Sequence, residues 1–213
     1  MEIKVMKNIM DVNNKVADSN RDYFAGHGIK VVNVMASPGA GKTSIIMKLM
    51  ELSKRRFSVI EGDIASSIDA QKIDEMGVHV VQINTNGGCH LDANMIHTVV
   101  DEDKGFDHTI LFIENVGNLV CPSSFDLGEG LKLVIASVPE GHDKPFKYTS
   151  MFEAADVIIL NKTDLLPYID FDRDAFYKGI RAVNLKALVF EVSCRSGEGL
   201  DELVKWVDVL ICK

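Results

Sequence analysis

A chain of 213 residues, 46% hydrophobic and 25% charged, has the composition of an ordinary globular protein and enough apolar material for a buried sheet. Its net charge of −8, from 23 Lys and Arg against 31 Asp and Glu, gives no electrostatic affinity for nucleic acid or anionic lipid, so neither is expected as a partner. No apolar run reaches membrane-spanning length, and residues 1–6 carry neither an apolar signal core nor a cleavage site, so a soluble cytoplasmic protein is expected.

Residues 1–28 read as an N-terminal helix and loop packed on the rest of the chain. Ile9, Val12, Val16 and Tyr23, with Ile3, Met6 and Met10 nearby, fall on one helical face; Asp11, Asn13, Asn14, Asp18 and Asn20 fill the other. Gly26-His27-Gly28 ends the helix, with His27 expected in solvent. Residues 29–213 then read as one α/β domain.

Val31-Val32-Asn33-Val34-Met35 is expected as a buried strand, and Thr43 to Met50 as a helix. Between them lies Ala36-Ser37-Pro38-Gly39-Ala40-Gly41-Lys42-Thr43, followed by Ser44. Strand, glycine-bearing loop, Gly-Lys-Thr and helix make a phosphate-binding loop, because N–H groups at a helix N-terminus converge on an anion. Lys42 supplies charge for the outer phosphates, and the Thr43 hydroxyl can take a place on Mg²⁺. Ala36 stands where the usual pattern has glycine, at a strand end where a small Cβ is tolerable.

A second strand, 57–63, ends in Glu61-Gly62-Asp63, and a helix over 66–76 follows, capped by Gly77. A strand at 78–83 leads to the turn-rich Asn84-Thr85-Asn86-Gly87-Gly88-Cys89-His90 and a helix over 91–100. A strand at 109–114 ends in Glu114; residues 115–130 are loop-like, and 131–138 is another strand. Residues 143–152 read as a mobile loop and helix. A strand at 156–160 runs into Asn161-Lys162-Thr163-Asp164; a helix at 171–183, a strand at 187–192 and a helix at 200–211 complete the chain. Apolar strands alternating with helices imply a three-layer, mostly parallel sheet with its ligand site beyond the C-terminal strand ends, where Gly39, Asp63, Glu114 and Asn161 all fall.

The Asn-Lys-x-Asp pattern reads guanine: the Asp164 carboxylate accepts two N–H groups from the guanine edge, and adenine would leave it unpaired. Ser193-Cys194-Arg195, after the last strand, is placed to put a backbone N–H on the base. Asp63 and Glu114 can hold Mg²⁺ or orient the attacking water, with Asp69 a weaker candidate. Cys89, His90 and Cys121 have the donor chemistry of a Zn²⁺ or Ni²⁺ site, although chance placement of inert cysteines would look the same. A helix N-terminus is expected to lower the Cys89 pKa. Three ligands leave a site incomplete, and two sets at a two-fold axis would close it. With Cys194 and Cys212, the four cysteines are expected to be buried, catalytic or metal-binding rather than paired in disulfides.

Taken together, the phosphate loop, Glu61-Gly62-Asp63, Gln82 to Thr85 with Cys89-His90-Leu91-Asp92-Ala93, the run Ile113 to Pro122 and Asn161 to Asp164 resemble the hydrogenase nickel-incorporation GTPases, the HypB family. The resemblance implies a dimerising SIMIBI-type P-loop NTPase that hydrolyses GTP slowly with Mg²⁺, using Lys42, Asp63 and Glu114. It implies a homodimer favoured by GTP, with nickel or zinc at the interface on Cys89, His90 and Cys121. Nickel would pass to a hydrogenase maturation partner and then the hydrogenase large subunit. Many members carry an N-terminal cysteine cluster or histidine-rich tract; neither stands here, which leaves the interface site. Ser66 and Ser67 replace a common switch threonine, and Lys147 either reaches the partner's nucleotide or is an exposed loop lysine. Two alternatives remain: a urease accessory GTPase, whose metal motif resembles Cys-Pro-His rather than a contiguous Cys89-His90, and a non-hydrolysing GTP-regulated metal binder.

Overall fold

In the computed structural model, which describes residues 9–63 and 67–209, seven strands form one sheet in which every pairing is parallel. They are β1 (Lys30–Ala36), β2 (Phe57–Asp63), β3 (His79–Asn84), β4 (Ile110–Glu114), β5 (Leu131–Ser137), β6 (Val157–Asn161) and β7 (Leu188–Glu191), ordered β3-β2-β4-β1-β5-β6-β7. Strand β1 sits at the centre, where the chain's path across the sheet reverses, and such a reversal opens a crevice at the C-terminal strand ends.

The helices are α1 (Ile9–Gly26), α2 (Lys42–Leu52), α3 (Ile68–Asp74), α4 (Ala93–Glu102), α5 (Lys144–Lys147), α6 (Thr149–Glu153), α7 (Arg173–Val183) and α8 (Leu200–Val209). Alternation along the strands sorts them into two outer layers. Val32, Val34, Phe57, Val59, Ile110 and Phe112 face Ile45, Ile46 and Leu49 of α2, Ile73 of α3 and Leu203 of α8. On the other face, Ile60, Leu111 and Ile113 meet Phe24 of α1 and Ile96 of α4. Further along it, Val134, Ile158 and Leu160 meet Phe152 of α6 and Phe176 of α7. Among the described residues no helix is long and apolar enough to cross a membrane.

Helix α1 is turned about its axis from the facing its apolar residues suggest, so that Asn13 and Asn20 go inward while Asp11, Asn14 and Asp18 stay exposed. Asn13, Ala17, Asn20 and Phe24 are buried, while Val12 is 54% exposed. The reason is hydrogen bonding. Asn20 Nδ2 donates to the carbonyls of Ala93 (2.8 Å) and Leu127 (3.0 Å), and its Oδ1 meets His97 Nδ1 at 2.9 Å. Asn13 donates to Asp126 O (2.8 Å) and accepts from Ala93 N (2.9 Å). A buried amide with all its partners costs little, and each bond contributes about 0.5–1.5 kcal/mol. Phe24 adds about 1.5–3 kcal/mol of apolar burial. Ile3, Met6 and the side chain of Ile9 lie outside the described residues, while Met10 and Val16 are half-buried. His27 is not in open solvent either: it is half-buried, stacked on Tyr23 at 4.0 Å with its Nδ1 2.8 Å from Tyr23 O.

Other departures are local. Helices α4 and α7 begin two residues later than expected because Asp92 and Asp172 cap them, accepting from Met95 N and Ala175 N at 2.9 Å. Residues 143–152 are not an open loop: α5 and α6 occupy most of them, and Met151 and Phe152 are fully buried. Within 115–130 a short 3-10 turn spans Cys121–Ser124.

Candidate nucleotide and metal sites

The phosphate loop joins β1 to α2 at the crevice. Ala36 is fully buried at the end of β1, so its methyl group fits the core. Gly39 (φ +75°) and Gly41 (φ +105°) are left-handed, and a Cβ on Gly41 would stand 2.3 Å from Asn161 Nδ2. That crowding reflects a grip from behind. Asn161 Nδ2 donates to Ala40 O (2.9 Å), and Lys162 Nζ donates to Gly39 O (2.7 Å). Ser37 Oγ donates to Glu140, which also accepts from Ser137 Oγ at 2.7 Å and so ties the loop to the end of β5. Pro38 packs against Gly117, where an added Cβ would stand 3.0 Å from Pro38 Cγ. A cavity of about 300 Å³ opens here, lined by Gly39, Gly41, Lys42, Thr43, Asp69 and Glu114 among others; Ser44 and Lys162 also border it. Ser37, Pro38 and Ala40 shape the loop instead of lining the cavity.

Two buried carboxylates stand beside it. Glu114 continues the inward series Ile110 and Phe112 of β4 onto the α2 face. Thr43 Oγ1 donates to its Oε1 (2.9 Å), and Lys42 Nζ lies 3.9 Å away. Burial pushes Glu114 up to about 7, against the opposing effects of Lys42 and Thr43. Glu61 sits opposite it in register and is equally buried; burial, then repulsion from Glu114 and Asp63, raise it to about 8. Sequence reasoning passed over Glu61, yet its parity with Val59 places it on the α2 face. Oε2 of each carboxylate is buried without a hydrogen-bond partner. Such a set fits a hard divalent cation, which prefers oxygen ligands. Asp63 is half-buried at the end of β2, one strand farther from β1, and does not line the cavity. Asp69, held by Lys72 at 2.6 Å, does line it.

At the other end of the crevice, Ser193 Oγ donates to Asp164 Oδ1 (2.6 Å) and accepts from the N–H groups of Arg195 (3.2 Å) and Ser196 (3.1 Å). Asn161 Oδ1 and Thr163 Oγ1 are buried and unpartnered. Cys194 is half-buried against the core, and burial raises its thiol pKa. Lys147 lies outside the cavity lining; its exposed ammonium pairs with Asp143, the residue that precedes α5.

Cys89, His90 and Cys121 converge, their ligand atoms all within 4.8 Å of one another. The loop is held from the chain that follows β4: Asn115 Oδ1 accepts from Leu91 N (3.1 Å), and Asn118 Nδ2 donates to Cys89 O (3.1 Å). His90 stacks on Phe125 at 3.8 Å, and burial lowers its pKa, which keeps the imidazole neutral and able to ligate. The Cys89 thiol departs from the expected lowering. Its pKa is raised, first by its hydrogen bond with Cys121, then by burial and by repulsion from a second thiolate. Helix α4 begins only at Ala93, with Asp92 as its cap, so Cys89 does not sit at the helix terminus. Two sulfurs and an imidazole nitrogen are the donor set of Zn²⁺ or Ni²⁺, and three donors leave coordination positions open.

Residues 30–191 match the family described as CobW/HypB/UreG, nucleotide-binding domain. The chain belongs to this family, among its HypB members. It is 48% identical to the hydrogenase maturation factor HypB of Azotobacter chroococcum mcd 1, over 97% of this chain and 68% of the relative. Against the hydrogenase maturation factor HypB of Escherichia coli (strain K12) identity is 44%, over 99% of this chain and 73% of the relative. The crystal structure of HypB from Helicobacter pylori in complex with nickel superposes with a TM-score of 0.89 at 35% identity, covering 93% of this chain and 95% of that one. The signal recognition particle 54 kDa protein from Aeropyrum pernix K1, in complex with GDP, shares the fold at a TM-score of 0.55 and 12% identity, over 94% of this chain and 51% of that one. The P-loop GTPase architecture read from the motifs is therefore the architecture of the chain, and HypB relatives have the same fold.

Proposed function

We propose that this HypB-type chain is a GTP-hydrolysing metallochaperone that carries nickel, or zinc, at a homodimer interface and assists nickel insertion into a hydrogenase large subunit through a maturation partner. The observation that carries the reading is one continuous segment, 114–121. It begins at Glu114 beside the phosphate cavity, touches the phosphate loop through Gly117, holds the metal loop through Asn115 and Asn118, and ends at the candidate ligand Cys121. A nickel-bound H. pylori relative of the same fold supports nickel as the cargo.

In this reading Gly39 to Ser44 cradle the phosphates through backbone N–H groups, and Lys42 stabilises charge on the transferring phosphoryl group. Asn161, Lys162, Asp164, Ser193 and Cys194 surround guanine. Asn161 Oδ1 and Thr163 Oγ1, buried without a hydrogen-bond partner, support a polar ligand at this end of the crevice. Thr43, Asp63 and Glu114 would hold Mg²⁺, which would supply charge neutralisation at the phosphates. Asp63 is the residue assigned to orient water, with Asp69 its nearest competitor because it lines the cavity. Lys147 would leave Asp143 for the partner's nucleotide. Turnover is slow, since no arginine is placed at the cavity among the described residues that line it. The chain would work in the cytoplasm.

Phosphate release from GTP and ATP, measured with Mg²⁺ and with EDTA, tests the enzyme. The reading expects Mg²⁺-dependent release from GTP alone. Equal release from both nucleotides contradicts the guanine site, and no release leaves a GTP-regulated binder.

A further inference from the structure

The buried acids of the α2 face outnumber what the nucleotide reading uses. Glu61 is 3% exposed, and its Oε2 has no hydrogen-bond partner. No lysine or arginine among the described residues forms an ion pair with it; the nearby Lys42 lies 3.9 Å from Glu114 instead. Glu61 is paired in register with Glu114 across β2 and β4, and both extend the inward series that faces α2. Adjacent strands run about 4.8 Å apart, so the two carboxylates are neighbours at the cavity wall, which Glu114 lines and Glu61 backs from behind. Thr43 Oγ1 reaches Glu114 from the phosphate loop. Gly62, next in the chain, is packed under Leu91, where an added Cβ would stand 2.7 Å from Leu91 Cδ1, so the backbone carrying Glu61 cannot readily turn it outward. Asp63 and Asp69 add negative charge around the same point, with Lys42 the compensating cation in the cavity wall beside Glu114.

A buried carboxylate fixed in place, with an unused oxygen and a second such group beside it, is an arrangement completed by a hydrated divalent cation. We propose that Glu61 is a positioning residue for the cation that accompanies the nucleotide, its Oε2 accepting a hydrogen bond from cation-bound water while Thr43 and Glu114 stand nearer the phosphates. The inference rests on the reading of the cavity as an Mg²⁺–GTP site and assigns that site a residue it did not include. Groups that hold a metal's ligands or waters from the second layer set affinity, and their loss costs about 10–100-fold.

The test uses Mn²⁺ as the spectroscopic stand-in for Mg²⁺, titrated by electron paramagnetic resonance into the full chain saturated with GDP. Glu61→Gln keeps the shape of the side chain and removes its charge; Glu61→Asp keeps the charge and withdraws it by one methylene. Both are expected to weaken Mn²⁺ binding by about 10-fold or more, while GDP affinity in EDTA stays within about twofold of the parent. Unchanged Mn²⁺ affinity in a folded Glu61→Gln protein overturns the proposal while leaving the Mg²⁺–GTP reading intact. A matching loss of GDP affinity in EDTA overturns it too, because the role is then structural. Failure of the parent protein to bind Mn²⁺ with GDP removes the reading beneath both.

Discussion

The two faces of the sheet both bury polar side chains, and they treat them differently. On the α1 and α4 face, the amide of Asn20 meets two carbonyls and His97, and Asn33 sits in mid-strand bonded to Glu129 (3.2 Å) and Asn115 (3.2 Å). Glu129 also accepts from Leu127 N at 2.6 Å. On the α2 face and at the adjoining strand ends, Glu61, Glu114, Asn161 and Thr163 each keep an unpartnered buried atom. These are the buried side-chain orphans among the described residues, and all lie at the nucleotide crevice. Satisfied polar groups hold this architecture together, whereas the unsatisfied ones are assigned, in the proposed function, to the nucleotide and its cation.

That contrast predicts opposite phenotypes for mutations of similar chemistry. The largest effect belongs to Asp164→Ala, which removes the acceptor assigned to the guanine edge. GDP affinity, measured by fluorescence titration, falls about 100-fold or more, the loss of two charge-assisted hydrogen bonds, while the melting temperature of the nucleotide-free protein barely moves. Asn20→Ala reverses the pattern. Two carbonyls and His97 lose their partner, stability falls by about 1–3 kcal/mol, and the melt drops by about 2–4 °C per kcal/mol. GDP affinity stays within about twofold. A large nucleotide effect there would erase the distinction between the faces.

The smallest effect carries a sign. Glu61 and Glu114 bind protons in the folded state at values of about 8 and 7, above the 4.5 of an unperturbed glutamate. The folded chain therefore holds protons that the unfolded chain has released. The stability these groups contribute is full below about pH 4.5 and is lost as pH rises through 7 and 8. In nucleotide-free, Mg²⁺-free protein, Glu61→Gln raises the melting temperature by about 3 °C at pH 8.5 and leaves it unchanged at pH 4.5. A uniform shift at both values would mean the glutamine acts by packing alone.

What the sequence made legible follows the same division. Strands such as Ile110 to Ile113 are near-continuous apolar runs, and the glycine-bearing loop and Asn161 to Asp164 are short local patterns, so the parallel sheet and the base motif could be read directly. Glu61 was hidden because a carboxylate in Glu-Gly-Asp reads as exposed until its parity with Val59 is followed into the core. Glu140, which secures Ser37 from 103 residues away, has no local signature at all. The facing of α1 was misread because hydrophobicity was weighed and hydrogen-bond capacity was not: Asn13 and Asn20 are inside because their partners lie in α4 and the 126–127 turn. The Cys89 thiol was misjudged because its neighbour across the fold, Cys121, is 32 positions away in sequence yet within 4.8 Å in space.

In the proposed function the segment from Glu114 to Cys121 couples the nucleotide site to the metal site, and that coupling is the claim most open to direct contradiction. Nickel is titrated into the protein with saturating GDP and, separately, with a non-hydrolysable GTP analogue, and each sample is sedimented. The account predicts a dimer holding nickel between its Cys89, His90 and Cys121 sets with the analogue, and monomers with nickel bound about 10-fold more weakly with GDP. Equal nickel affinity and equal sedimentation in the two nucleotide states would contradict it.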